Sequence, residues 1–238
     1  MPLPKIATPT YELELPSTGK SVKYRPFLVK EEKVLVIALE SEDNKQITNA
    51  IKAVLKSCIL SKGIKVENLP TFDIEYLFLN IRGKSVGEEL EVNIICPDDE
   101  ETQVPVTINL DEIEIQRNDN HSNKIKVDDS IMMEMKYPSL DQFIKNNFDF
   151  NDNVMDQSFD LIATCIDKIY TEDEVWASAD CTKKEMKDFL EQMNSTQFKE
   201  IESFFDTMPK LSHTLNVTNP KTKVESEVVL EGLASFFA

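Results

Sequence analysis

Val92-Asn-Ile-Ile-Cys-Pro-Asp-Asp-Glu-Glu-Thr-Gln-Val-Pro-Val-Thr-Ile108 is a strand, an Xaa-Pro step, a few polar residues and a second strand. The same pattern occurs at Tyr11-Glu-Leu-Glu-Leu-Pro-Ser-Thr-Gly-Lys-Ser-Val-Lys-Tyr24 and at Leu215-Asn-Val-Thr-Asn-Pro-Lys-Thr-Lys-Val-Glu-Ser-Glu-Val-Val-Leu230. Proline fixes its own φ and has no N–H for a strand ladder, so it suits the start of a turn. Alternating apolar and polar residues on both sides make each copy a β-hairpin. Cys96-Pro97 stands where a zinc hairpin has Cys-Pro-x-Cys, but Asp98, Asp99 and Glu100 follow, so the loop keeps the shape without the second thiolate.

Between the hairpins the pattern turns helical. Residues 30–41 read as a helix with Val34, Leu35, Ile37, Ala38 and Leu39 apolar. In residues 44–62, Ile47, Ile51, Val54, Leu55, Cys58 and Ile59 recur at helical spacing, and Gly63 is the expected C-cap. Lys45, Lys52 and Lys56 lie off that stripe and give the helix a basic side. A further helix is expected from Thr71, as N-cap, to about Gly83, with Ile74, Leu77, Phe78 and Ile81 on one face. Asp111–Ile115 reads as an extension of the central hairpin. The polar run 117–123 is a soft boundary, and its β-type flanks are compatible with a hairpin across it.

Beyond the boundary, helices are expected at Ser139–Asn147, at Val154–Tyr170, from Thr182 with Glu185 completing a capping box, and from Ser195 to Pro209. Trp176 falls between helices as a core or lid residue. The expected fold is α+β, a helical body with several antiparallel hairpins. It divides into a hairpin-helix-hairpin region, 1–116, and a mainly helical region with the last hairpin, 117–238.

The chain has 238 residues, a net charge of −17 and 5 glycines. Residues 1–70 hold 11 Lys and Arg against 8 Asp and Glu, and the remainder holds 15 against 35. An acidic body argues against nucleic acid as a partner, because phosphate binding depends on Lys and Arg. Few glycines leave no phosphate-cradling loop. No apolar run reaches the roughly 18–20 residues of a membrane span. Cys58, Cys96, Cys165 and Cys181 are scattered, which argues against a disulfide framework and for a reducing compartment, with Cys58 and Cys165 as core residues.

The catalytic inventory is thin. His121 and His213 lie in no nucleophile motif. With 43 acidic residues, pairs such as Asp98 and Asp99 arise without a catalytic reason. Cys96 and His213 are the weak metal candidates, should the hairpins stack. No enzyme activity and no cofactor are expected.

The run Leu69-Pro-Thr-Phe-Asp-Ile-Glu-Tyr-Leu-Phe-Leu-Asn-Ile-Arg82, leading into Cys96-Pro97, resembles the baseplate hub subunit and hub assembly proteins of T-even-like contractile-tailed phages. Gln197-Phe-Lys-Glu-Ile-Glu-Ser-Phe-Phe-Asp-Thr-Met-Pro-Lys-Leu-Ser-His213, Glu231-Gly-Leu-Ala-Ser-Phe-Phe237 and Leu15-Pro-Ser-Thr-Gly-Lys20 are similar to the same family. The resemblance implies Cys-Pro-x-Cys hairpins, from which this chain departs at Asp99, Asn219 and Thr222. It implies a non-enzymatic protein that builds the hub through contacts with other hub or tail proteins, in the host cytoplasm during assembly and in the virion baseplate if retained. The alternative is a cytoplasmic adaptor with a degenerate zinc-hairpin fold that still binds a metal. Expected contact residues are Ser17, Thr18 and Lys20, Asp98 and Asp99, Lys221 and Lys223 on the hairpin tips, and Leu233, Phe236 and Phe237 in the tail.

Overall fold

The three Xaa-Pro segments fold into three hairpins with one shared turn. A computed structural model describes residues 6–140, 142 and 154–232 of the chain. The strands are β1 (Tyr11–Glu14) with β2 (Ser21–Tyr24), β3 (Glu89–Ile95) with β4 (Gln103–Asn109), and β10 (Lys210–Thr218) with β11 (Glu225–Glu231). In each turn the carbonyl of the residue before proline accepts from the N–H four residues on: Leu15 from Gly19 at 2.8 Å, Cys96 from Glu100 at 2.9 Å and Asn219 from Lys223 at 2.9 Å. That fourth residue takes a left-handed φ each time, 65° at Gly19, 54° at Glu100 and 66° at Lys223. The side chain before proline points inward in all three, since Leu15, Cys96 and Asn219 are buried.

The fold is α+β and splits into two compact units, 1–116 with 210–238, and 117–209. Assigning the last hairpin to a region 117–238 differs from this division. The third sheet has the order β11-β10-β5, with β5 (Glu114–Gln116) paired to Lys210–Ser212. Asp111–Ile115 therefore does not prolong the central hairpin. A 3₁₀ turn at Leu110–Glu112 redirects the chain into a different sheet.

In the first unit, α1 (Val29–Glu40) packs on α2 (Asn44–Cys58), and α2 packs on α3 (Thr71–Val86). Helix α3 is central: Phe72, Asp73, Ile74, Leu77, Phe78, Leu79, Ile81 and Gly83 are all buried. A helix apolar around most of its circumference belongs inside a core. Its Leu79 joins Leu90, Val92, Ile94 and Ile108 of the second hairpin and Leu211, Val217 and Leu230 of the third sheet. Pro70, not Thr71, occupies its N-cap, and the helix runs past Gly83 to Gly87, whose φ of 118° closes it. Helix α2 ends earlier than Gly63, because Ile59 leaves it to bridge Tyr24 while the Leu60 N–H donates to the Lys23 carbonyl.

The second unit is a four-stranded antiparallel sheet, β6 (Lys124–Lys126), β7 (Met132–Met135), β8 (Ile166–Tyr170) and β9 (Val175–Ala177), with α4 (Val154–Cys165), α5 (Lys183–Leu190) and α6 (Ser195–Thr207). Met133, Met135, Cys165, Ile166, Ile201 and Phe204 form its core. β6 pairs with β7, so no hairpin spans 117–123; the flanks of that loop join different sheets. The helix expected over Val154–Tyr170 stops at Cys165, and its last residues become β8, held on both sides by β7 and β9. Trp176 lies on β9 and is exposed. The Thr182/Glu185 capping box is present, and Asn194, rather than Ser195, caps α6 with Gln197. Ser139 and Gln142 exchange hydrogen bonds and Leu140 between them is buried, while 141 and 143–147 of the expected helix Ser139–Asn147 lie outside the described residues.

Candidate interaction surfaces

The tips of the second and third hairpins meet. Asn219 Nδ2 donates to both carboxylate oxygens of Asp98 at 3.0 and 3.1 Å, and the Thr222 hydroxyl donates to Asp98 Oδ2 at 2.5 Å. Asn219 Oδ1 also accepts from the Lys221 N–H at 2.8 Å, so one buried amide orders its own turn and clamps its neighbour. Asp99 accepts from the Thr102 N–H at 2.9 Å, the Thr102 hydroxyl at 2.5 Å and the Glu101 N–H at 3.1 Å. Hydrogen bonds to the charged form lower a carboxyl pKa. Thr222 and then Asn219 hold Asp98 below its ordinary value, and Thr102 above all holds Asp99 well below the carboxylate range.

The resemblance implies zinc knuckles at these two turns, and the residues present do not fit the metal. Structural zinc takes four Cys or His ligands. Here one thiol, Cys96, stands with Asp99, Asn219 and Thr222. Burial, then the Asp98 and Asp99 charges, push the Cys96 thiol up, against the thiolate a metal needs. His213 sits six residues before Asn219 on β10, about 20 Å away at strand rise. Cys96, by contrast, is two residues from the clamped Asp98. Among the described residues, no three His, Cys, Asp or Glu side chains gather where an ion would sit.

The first hairpin is clamped differently. The Ser17 N–H donates to Asp73 Oδ1 at 3.0 Å, and its hydroxyl donates to the other carboxylate oxygen. Asp73 is fully buried in the first turn of α3, where the helix dipole favours a negative charge. Of the expected contact residues, Ser17, Asp98 and Asp99 thus carry internal hydrogen bonds. Thr18, Lys20, Lys221 and Lys223 are exposed, and Leu233, Phe236 and Phe237 lie outside the described residues.

The surface that sequence reasoning missed is α1. Only Glu31, Leu35 and Ala38 of this helix are buried. Val29 and Ile37 are each 67% exposed, and Val34 and Val36 also face outward. With Lys33 and Glu40, the residues Val29, Val36 and Ile37 recur at the three-to-four spacing of one helical face. The helix is anchored at its start: Glu31 takes Arg25 Nη2 at 2.9 Å on one oxygen and the Leu28 N–H at 2.8 Å on the other. Burial works against the Glu31 charge, but Arg25 and Leu28 outweigh it and keep its pKa low. The face is therefore a fixed apolar strip on a positioned helix. The signal for it was the unbroken run Val34–Leu39, which carries more apolar residues than one buried stripe uses.

In the second unit, His121 bridges Thr207 Oγ1 at 2.9 Å and the Tyr137 hydroxyl at 2.9 Å, and its ring packs against Tyr137 and Phe204. Both partners are hydroxyls already hydrogen-bonded to the ring, and the cluster reads as a tie between the polar loop and α6. Cys58 and Cys165 are fully buried, with thiols pushed up by burial to about 11 and about 12, so neither is a ready nucleophile.

The family model for the T4 bacteriophage base plate protein matches residues 8–238. No curated protein and no solved structure matches the chain.

Proposed function

The chain belongs to the T4 bacteriophage base plate protein family, and from that premise we propose that it builds the hub of a contractile-tail baseplate without catalysing a reaction. A structural baseplate protein of the virion tail works through contacts with other baseplate proteins. The hub assignment is supported by the segments Leu69–Arg82, Gln197–His213 and Glu231–Phe237, which resemble hub and hub assembly proteins. It acts in the host cytoplasm as the hub forms.

The observation that carries the contact role is the outward face of α1. Exposed apolar surface on a positioned helix gains free energy only when another surface covers it, at about 25 cal/mol per Å² removed from water. Thr18, Lys20, Lys221 and Lys223 on the hairpin tips are secondary contact points, within reach of a partner that approaches those turns. The clamps on Ser17 and Asp98 keep the tips in place and are not themselves offered to a partner.

The test replaces Val36 and Ile37 together by lysine in the infecting phage. The variant protein is expected to remain folded and soluble while complete baseplates fall sharply in number. Normal particle yield with both substitutions would overturn the reading.

A further inference from the structure

The segment 44–66 carries five lysines and no Asp or Glu in a chain whose net charge is −17. On α2, Lys45, Lys52 and Lys56 are spaced seven and four apart and share one stripe, opposite the buried residues Ala50, Ile51, Val54, Leu55 and Cys58. Lys62 and Lys65 follow and are exposed. On α1, Lys30 and Lys33 stand on the outward side among Val29, Val34, Val36 and Ile37, with Glu32 and Glu40 also exposed and Lys30 paired to Glu31 at 3.3 Å. The exposed apolar strip of α1 and the lysine stripe of α2, where Lys56 also pairs with Glu67 at 3.2 Å, thus fall on the same helical hairpin.

We propose that the α1–α2 hairpin is the docking site for an acidic amphipathic helix of another baseplate protein; this rests on the reading of α1 as the contact surface and adds the chemistry of what covers it. Anchors at three-to-four spacing match an apolar stripe on a helix. The lysines select acidic flanks, and complementary charge speeds encounter and rejects wrong partners. A second copy of α1 is a poor occupant. Its own charges are mixed, Lys30 and Lys33 against Glu31, Glu32 and Glu40, so it offers the α2 lysines no run of acidic side chains.

The experiment uses the full chain and labelled synthetic helices of about 20 residues. One carries a leucine stripe with glutamate flanks, one the same stripe with lysine flanks, and one glutamate flanks with serine replacing leucine. Fluorescence anisotropy is expected to show the leucine–glutamate helix binding at least about tenfold tighter than either control, and less tightly as salt rises. K45E/K52E/K56E on α2 and V36K/I37K on α1 each lose about tenfold or more, with circular dichroism and unfolding midpoints confirming both folds. Equal binding of the glutamate and lysine helices overturns the proposal, as does no binding, preference for a DNA duplex, or self-association of the free chain that V36K/I37K abolishes. If V36K/I37K stops baseplate assembly while the leucine–glutamate helix fails to bind, the contact surface stands and the acidic partner falls. If assembly is untouched by V36K/I37K, the surface itself falls.

Discussion

Asn219 reaches across from the third hairpin and places its amide nitrogen 3.0 and 3.1 Å from the two carboxylate oxygens of Asp98 on the second. The two residues lie 121 positions apart in sequence, and their contact joins two turns of one design. Asn219 is buried while Asp98 is exposed, so its loss removes two charge-assisted hydrogen bonds across the tips and the amide that orders its own turn. Asn219→Ala is expected to destabilise the protein by about 1–3 kcal/mol, read from urea unfolding. Asn219→Asp, which sets a third carboxylate against Asp98 and Asp99, is expected to cost more than alanine. Equal stability of all three proteins would show that the clamp contributes nothing.

The same cluster sets the expectation for metal. Purified protein should contain no stoichiometric zinc, and a chelator should leave its unfolding midpoint unchanged. The variant D99C/N219C/T222C, which with Cys96 supplies four thiols at the knuckle positions, should take up one zinc. One equivalent of zinc in the natural chain would contradict this account of the hairpins.

Glu100 and Lys223 sit at the turn position that Gly19 fills in the first hairpin, with φ of 54° and 66°. A side chain in the left-handed region costs roughly 1 kcal/mol that glycine avoids, partly offset by the greater freedom glycine has when unfolded. Lys223→Gly is therefore expected to be neutral or stabilising by up to about 1 kcal/mol. Lys223→Val, β-branched at the same φ, is expected to destabilise. Thermal unfolding separates these outcomes, and a valine variant as stable as the natural chain would contradict the turn assignment.

His121 carries the pH dependence of the second unit. Burial lowers its pKa below the ordinary value, so the folded protein favours the neutral ring. The Thr207 hydroxyl donates to the Ser203 carbonyl at 2.6 Å, which leaves Thr207 to accept from His121 Nδ1–H and Nε2 to accept from Tyr137. A group whose folded pKa is depressed contributes stability above its unfolded value of about 6.5 and loses it as pH falls through that range. The urea midpoint should therefore drop between about pH 7.5 and about pH 5.5. His121→Gln should flatten that drop. A midpoint that rises on acidification, or an unaltered slope in the variant, would contradict the assignment.

What was legible in the sequence followed from local chemistry. The hairpins announced themselves through Xaa-Pro steps between alternating residues, and α2 through its stripe and the polar residues opposite it. The strand β8 was hidden because Phe159, Ile162, Ile166 and Ile169 satisfy a helical period as well as Ile166 and Ile169 satisfy a strand edge; the β7 partner that helps decide it, Met133, is remote in sequence from Ile169. β5 was misassigned for the same reason, since its partner Leu211 lies almost a hundred residues later. The candidate site showed a related limit. The hairpin tips were singled out as contact points, and at two of those positions Ser17 and Asp98 hydrogen-bond Asp73, Asn219 and Thr222, contacts with no local pattern. The apolar run marked α1 as a helix, but a sequence does not say that only Leu35 and Ala38 of that run are buried.

Site-specific photo-cross-linking during baseplate assembly tests the central claim most directly, with the reactive group at Ile37 on α1 and, for comparison, at Thr107, exposed on β4. The account predicts strong cross-links from Ile37 to a single other baseplate protein and few from Thr107. Cross-links from Thr107 with none from Ile37 would contradict it.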